Sequence, residues 1–130
     1  MASPEKVPDA PTVLVVEDEA LIRLGIVDAF DDAGFIVLAA NDAAQAVVFL
    51  QATRARRIDF LFSDVNMPGA MDGLLLAFHT REHWPWISLI VTSGRLQKTF
   101  GEMPTNTRFF QKPYDLGRVV DHIRETAWAA

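Results

Sequence analysis

From Thr12 onward, short apolar runs take turns along the chain with stretches of helical period. The runs are TVLVV (12–16), FIVLA (35–39), IDFLF (58–62), ISLIV (87–91) and RFF (108–110). Each is nearly continuous in hydrophobicity, as parallel strands covered on both faces are. After the first, EALIRLGIVDAFDDAG spaces Leu21, Ile22, Leu24, Ile26, Val27, Ala29 and Phe30 for a helix that Gly34 would end. A second helix opens at Asn41 or Asp42 and turns Ala46, Val47, Phe49 and Leu50 inward. A third runs from about Asp72, its N-cap, to Trp84 ahead of Pro85, and the last from Tyr114 to about Trp128. Trp84 and Trp86, flanking Pro85, are expected in the core. The fourth connection, TSGRLQKTFGEMPTNT, is the exception: its glycines and Pro104 leave room for at most a short helix from Arg95 to Phe100, with Phe100 buried.

This five-fold alternation predicts an α/β fold: a three-layer, doubly wound, five-stranded parallel sheet with right-handed crossovers. One domain over residues 12–130 follows a flexible polar leader, MASPEKVPDAP (1–11), which lacks a signal peptide's apolar core.

Charge and composition narrow the function. The net charge of −5 speaks against a general nucleic-acid binder, and the one basic cluster, Arg54, Arg56 and Arg57, reads as a solvated helix end. With no cysteine, thiolate catalysis, disulfides and cysteine-based zinc sites are excluded. No apolar run reaches membrane-spanning length, so no membrane partner is expected and a cytoplasmic location is the default.

Ligands of open parallel sheets bind beyond the carboxyl ends of the strands. The first run ends there in Glu17-Asp18, the third in Ser63-Asp64, the fourth in Thr92-Ser93 and the fifth in Gln111-Lys112-Pro113. Carboxylates brought to contact distance repel by roughly 4 kcal/mol per pair at an effective dielectric near 20. They must protonate or bind a cation. Oxygen ligands without histidine or cysteine favour Mg²⁺, which in turn recruits phosphate oxygens. An aspartate so placed can be a nucleophile toward phosphorus. Lys112-Pro113 is a candidate cis bond that would aim the lysine inward. His79 and His83 lie four apart on the third helix without a third ligand and read as a solvated face, as does His122.

With these residues placed, the chain resembles the receiver domain of two-component response regulators. The resemblance covers residues 12 to 128 and rests on VLVVEDE, SDVNMPGAMDG, IVTSG and FFQKPY falling in order on strands one, three, four and five. It implies a CheY-like, flavodoxin-like sheet of strand order 2-1-3-4-5. By the same resemblance Asp64 accepts a phosphoryl group from a histidine kinase or a histidine phosphotransfer protein. Asp18, Asp64 and the backbone carbonyl of Asn66 would hold Mg²⁺, with Glu17 acting through water. Lys112 would pair with the phosphoryl oxygens, Thr92 would hydrogen-bond the acyl phosphate, and Phe109 stands where the family keeps its switch aromatic.

The chain departs from the family in four places: Glu-Asp for the commoner Asp-Asp, one extra residue at Gly69-Ala70, a stunted fourth helix, and phenylalanine for the switch tyrosine. The expected role is a stand-alone single-domain regulator that catalyses only its own phosphorylation and slow dephosphorylation. Its output would pass through the fourth connection, fifth strand and fifth (last) helix to a protein partner, and the fifth-strand face is a candidate homodimer interface. Apolar residues adjoining the acidic edge, Leu21, Ile22, Pro113 and Tyr114, mark a kinase-docking surface. Gly94 and Asn66, two residues beyond Thr92 and Asp64, set the lifetime of the phosphoryl group. Alternatives are a haloacid-dehalogenase-type phosphatase, whose nucleophile belongs on the first strand, and a receiver-like binding module that takes no phosphate. A nucleotide-binding fold is disfavoured because VEDEA would repel a pyrophosphate.

Overall fold

Strand pairing in the computed structural model of the chain, which describes residues 10–52, 57–67, 69, 71–94 and 103–128, follows the order β2-β1-β3-β4-β5, all parallel. In sequence the elements are β1 (Thr12–Val16), α1 (Ala20–Asp32), β2 (Ile36–Ala40), α2 (Ala43–Ala52), β3 (Phe60–Asp64), α3 (Gly73–His83), β4 (Ser88–Ser93), β5 (Thr107–Gln111) and α4 (Leu116–Ala127). The expected short helix from Arg95 to Phe100, the burial of Phe100, Arg54 and Arg56 of the basic cluster, Ala70 and the first nine leader residues lie outside the described residues.

The three middle strands have no solvent face, and their side chains divide by parity between two cores. Leu14, Leu61, Leu89 and Val91 pack with α2 and α3, whereas Val13, Val15, Phe60, Phe62 and Ile90 pack with α1 and α4. In the second core, Phe35 lies tilted against Phe30 (5.9 Å between centroids), and rings then run edge to face from Phe30 to Phe62 (5.4 Å) and Phe62 to Tyr114 (6.0 Å).

Helix ends follow local chemistry. Gly34, at φ +95°, ends α1: its N–H donates to Asp31 O and the Phe35 N–H reaches back to Phe30 O. Asp42 Oδ1 accepts from Gln45 N at 2.8 Å to start α2, and Asp72 Oδ1 accepts from Leu75 N at 2.9 Å to start α3. Asp115 accepts from Gly117 N, so the last helix begins at Leu116 rather than Tyr114.

Several boundaries and faces differ from the sequence reading. β3 ends at Asp64 rather than Phe62, because backbone pairing continues through the polar residues: Ser63 lies beside Val16 and Asp64 beside Thr92. Asp59 precedes the strand, where its carboxylate accepts from Thr12 N at 2.9 Å. On α1 only Ile26 and Phe30 are buried, whereas Leu21 (84%), Leu24 (56%) and Ile22 (42%) are exposed. Val47 and Phe49 of α2 are half-buried. Trp84 packs against the core, but Trp86 is exposed, with the Arg57 guanidinium 5.4 Å over its ring.

Candidate functional site

The pairing register brings the strand-end residues together. Val16 pairs with Ser63, which sets Glu17 beside Asp64, and Asp64 pairs directly with Thr92. By strand alternation Glu17, Asp64, Thr92 and Lys112 share the face that carries α1 and α4. All but Lys112 are buried: Glu17 is 4% exposed, Asp64 6% and Thr92 1%. The Lys112–Pro113 peptide is cis.

Both Asp64 oxygens are engaged. Lys112 Nζ donates to Oδ2 at 2.6 Å, and the Asn66 N–H donates to Oδ1 at 3.0 Å. The Asp64 backbone is fixed as firmly, with Ser63 Oγ donating to its carbonyl and Val65 N donating to Thr92 O. Glu17 is held at three atoms. Its N–H donates to Ala40 O, its carbonyl accepts from Arg23 Nη1 at 2.8 Å, and its Oε2 accepts from Glu19 N at 3.1 Å. Asp18 is exposed at the rim.

This geometry sets the electrostatics. Burial pushes the Glu17 carboxyl above the usual carboxylate range; Asp64 and the neighbouring Asp18 push the same way, against the Glu19 N–H and Lys112. Burial pulls Lys112 down, but the hydrogen bond and charge of Asp64, with Glu17 and Glu19, leave its ammonium above the ordinary value. Tyr114 is pushed up to about 12, by burial first and then by Glu17 and Asp64. The cluster thus carries more negative charge than its one lysine neutralises.

Among the described residues no three histidine, aspartate or glutamate side chains form a ready-made metal cage. Mg²⁺ does not require such a cage, since it takes one or two carboxylates and keeps several waters. Glu17, its carboxyl pushed up by burial first and then by the Asp64 charge, and Asp64 beside it, with no soft ligand near them, are a donor set that such an ion fits.

Other expected site residues fall as follows. Phe109 is half-buried against the α2–α3 core, on the face opposite Thr92, beside Val91 in register. Asn66 and Gly94 are exposed at the rim, as is Pro113, while Tyr114 is half-buried. Gly69 has φ +111°. His79 and His83 stack at 4.3 Å, with no third ligand among the described residues. His122 is half-buried against Phe110 rather than fully exposed. Two residues given no role in the sequence reading also support the site: Arg23, through the Glu17 carbonyl, and Gly73, the last residue of SDVNMPGAMDG, whose N–H donates to Val65 O. Arg23 is the lone base in the acidic stretch from Glu17 to Asp28, and Gly73 a poor helix former at a helix start; these were the available signals.

Known proteins resemble this chain in sequence and fold. Residues 13–124 match the response regulator receiver domain family. Over 117 residues the chain is 32% identical to the sensor kinase CckA of Brucella abortus, covering 88% of this chain but only 12% of that protein. Among solved structures, a response regulator receiver protein from Sinorhizobium medicae superposes with a TM-score of 0.83 at 25% identity, covering 92% of this chain and 96% of the other. The receiver domain of the hybrid histidine kinase CckA gives 0.74 at 28% identity, over 89% and 98%. No helix among the described residues is long and apolar enough to cross a membrane.

Proposed function

The chain belongs to the response regulator receiver domain family, and we propose that it accepts a phosphoryl group on Asp64 from a phosphohistidine and so changes its protein contacts. The observation that carries this is the buried Asp64 carboxylate, paired with Lys112 at 2.6 Å and seated beside Glu17 at the carboxyl end of the central strand.

In the transfer, an Asp64 oxygen bonds to phosphorus as the phosphorus–nitrogen bond breaks, and the donor, protonated on its other ring nitrogen, keeps the bond's electron pair and leaves as a neutral imidazole. Lys112 passes from Asp64 Oδ2 to the phosphoryl oxygens, so its charge follows the charge that moves. Asp18, Asp64 and the Asn66 carbonyl would hold Mg²⁺, with Glu17 acting through water. When bound, the ion supplies charge neutralisation and in-line alignment of the phosphoryl oxygens. Positioning does most of the work, and the backbone hydrogen bonds at Asp64 and Glu17 provide it.

Thr92, one position from Asp64 across the ladder, hydrogen-bonds the acyl phosphate, and Phe109 on β5 follows the shift of β4. The surface of β5, α4 and the fourth connection then meets a downstream protein or a second copy. The donor, a histidine kinase or a phosphotransfer protein, docks on exposed Leu21 and Ile22 with Pro113 and Tyr114. Likeness to receiver domains within a sensor kinase supports a donor of this kind. With Asp64 on β3, the dehalogenase-type reading loses its nucleophile position. The test is acetyl phosphate with Mg²⁺, followed by mass spectrometry. One phosphoryl group on the wild type and none on Asp64→Asn is expected. An unmodified wild type, or an equal gain on the variant, would sink the reading.

A further inference from the structure

The first turn of α3 lies directly on the backbone of the phosphoacceptor. A Cβ added to Gly73 would stand 1.9 Å from Asp64 O, 2.7 Å from Asp64 C and 2.9 Å from Ser63 Oγ. Ordinary contact begins at 3.4 Å, so any side chain here requires the two segments to part by about 1.5 Å. The nearest obstacle is backbone, which no rotamer change relieves. The backbone of Gly73 is also a tie, since its N–H donates to Val65 O at 2.9 Å. The same stretch carries both the reacting carboxylate and the Asn66 N–H that orients it at 3.0 Å. Asp72, immediately before, fixes the helix start by capping Leu75.

We propose that Gly73 is a positioning residue for phosphoryl transfer: its missing side chain lets the N-terminus of α3 seat Asp64 at the depth and angle the reaction needs. The proposal rests on Asp64 being the phosphoacceptor. Its physical basis is the steep cost of misplacing a nucleophile, about a hundredfold in rate for 1 Å. Gly25, mid-helix on α1 with nothing within 4 Å of an added Cβ, is the matched control, and alanine there favours the helix.

The experiment compares wild type, Gly25→Ala, and Gly73→Ala built on Gly25→Ala so that the helix gain offsets lost stability. Phosphorylation by acetyl phosphate is followed across donor concentrations, with circular dichroism checking the fold and amide NMR reporting Asn66. The expected result is wild-type behaviour for Gly25→Ala. The folded double variant should show a saturating rate roughly a hundredfold lower. Its donor half-saturation should stay unchanged and its Asn66 resonance should move. A double variant that reacts at the control's rate overturns the proposal, as does one that does not fold, which would assign Gly73 to the fold alone. An unphosphorylated wild type would instead defeat the phosphoacceptor reading, so the two failures are distinguishable.

Discussion

Lys112 Nζ donates to Asp64 Oδ2 at 2.6 Å across 48 residues of sequence, the one ion pair that ties the last strand exit to the central one among the described residues. The pair sets an ammonium against a buried carboxylate beside a second acid, Glu17, whose carboxyl burial pushes above the usual carboxylate range. Replacing Lys112 with methionine keeps much of the apolar stem and removes the charge. Phosphorylation by acetyl phosphate is expected to slow by about 10²–10³-fold, the usual cost of losing one positioned donor at a developing charge. Rates measured at saturating Mg²⁺ check this; a loss confined to low Mg²⁺ would show that the lysine serves only the resting state.

Arg23 acts through a backbone atom. Its Nη1 holds the Glu17 carbonyl at 2.8 Å, at the point where β1 hands the acidic pair to the site. Arg23→Ala should weaken Mg²⁺ binding by about tenfold, the low end for a residue that orients a ligand without touching the ion. Calorimetry on the unphosphorylated protein gives the value directly. Arg23→Lys, still able to donate to the carbonyl, is expected to recover most of the affinity.

What the sequence made legible, and what it hid, follows from which atoms do the work. Glu17, Asp64, Thr92 and Lys112 could be placed because strand periodicity delivers side chains to one edge in one register. The roles of Arg23 and Gly73 were not legible: a bond to a carbonyl has no side-chain pattern, and Gly73, though it closes SDVNMPGAMDG, gives no sign of how tightly it lies on Asp64. Hydrophobicity stopped β3 at Phe62, but ladder bonds belong to the backbone and continue through Ser63 and Asp64. On α1 apolar residues surround much of the helix, so periodicity could not tell that Ile26 and Phe30 face inward while Leu21 and Leu24 face water. Trp86 looked like core because it is large and apolar, yet one face of it lies under Arg57 at the surface.

Phe30 is the hub of the α1–α4 core, fully buried between Phe35 and Phe62. Truncation to alanine leaves a cavity among rings that cannot collapse into it, and should cost about 3–5 kcal/mol in denaturant unfolding. The ring chain continues from Phe62 to Tyr114 near the site. The variant should therefore also blunt phosphorylation where it remains folded.

Tyr114 is the only tyrosine of the chain, so its phenol can be titrated spectroscopically without overlap. In the native protein it should ionise near 12, against 10.0 when unfolded in denaturant. The sign follows from proton counting. Above pH 10.0 the unfolded chain releases the phenolic proton and the native chain keeps it, so native stability falls as pH rises from there through about 12. Asp64→Asn removes one of the two negative neighbours and should bring the native value down; a native phenol titrating at 10.0 would contradict its placement.

The lifetime of the acyl phosphate depends on what can orient water near it. The rim positions beyond Asp64 and Thr92 are Asn66 and Gly94, both exposed. Gly94 supplies no side chain, and an added Cβ there meets nothing within 4 Å, so a longer residue fits without disturbing β4. Asn66 offers an amide, which binds water but cannot take a proton from it. A long-lived phosphoryl group is therefore expected. Gly94→Glu adds a carboxylate that can hold and polarise the attacking water, and should shorten the half-life by about tenfold, a modest share of what a well-positioned base contributes. Loss of the phosphoryl mass after donor removal, followed for both proteins in excess Mg²⁺, decides the matter. An unchanged or longer half-life in the variant would mean that water reaches the phosphorus from another side.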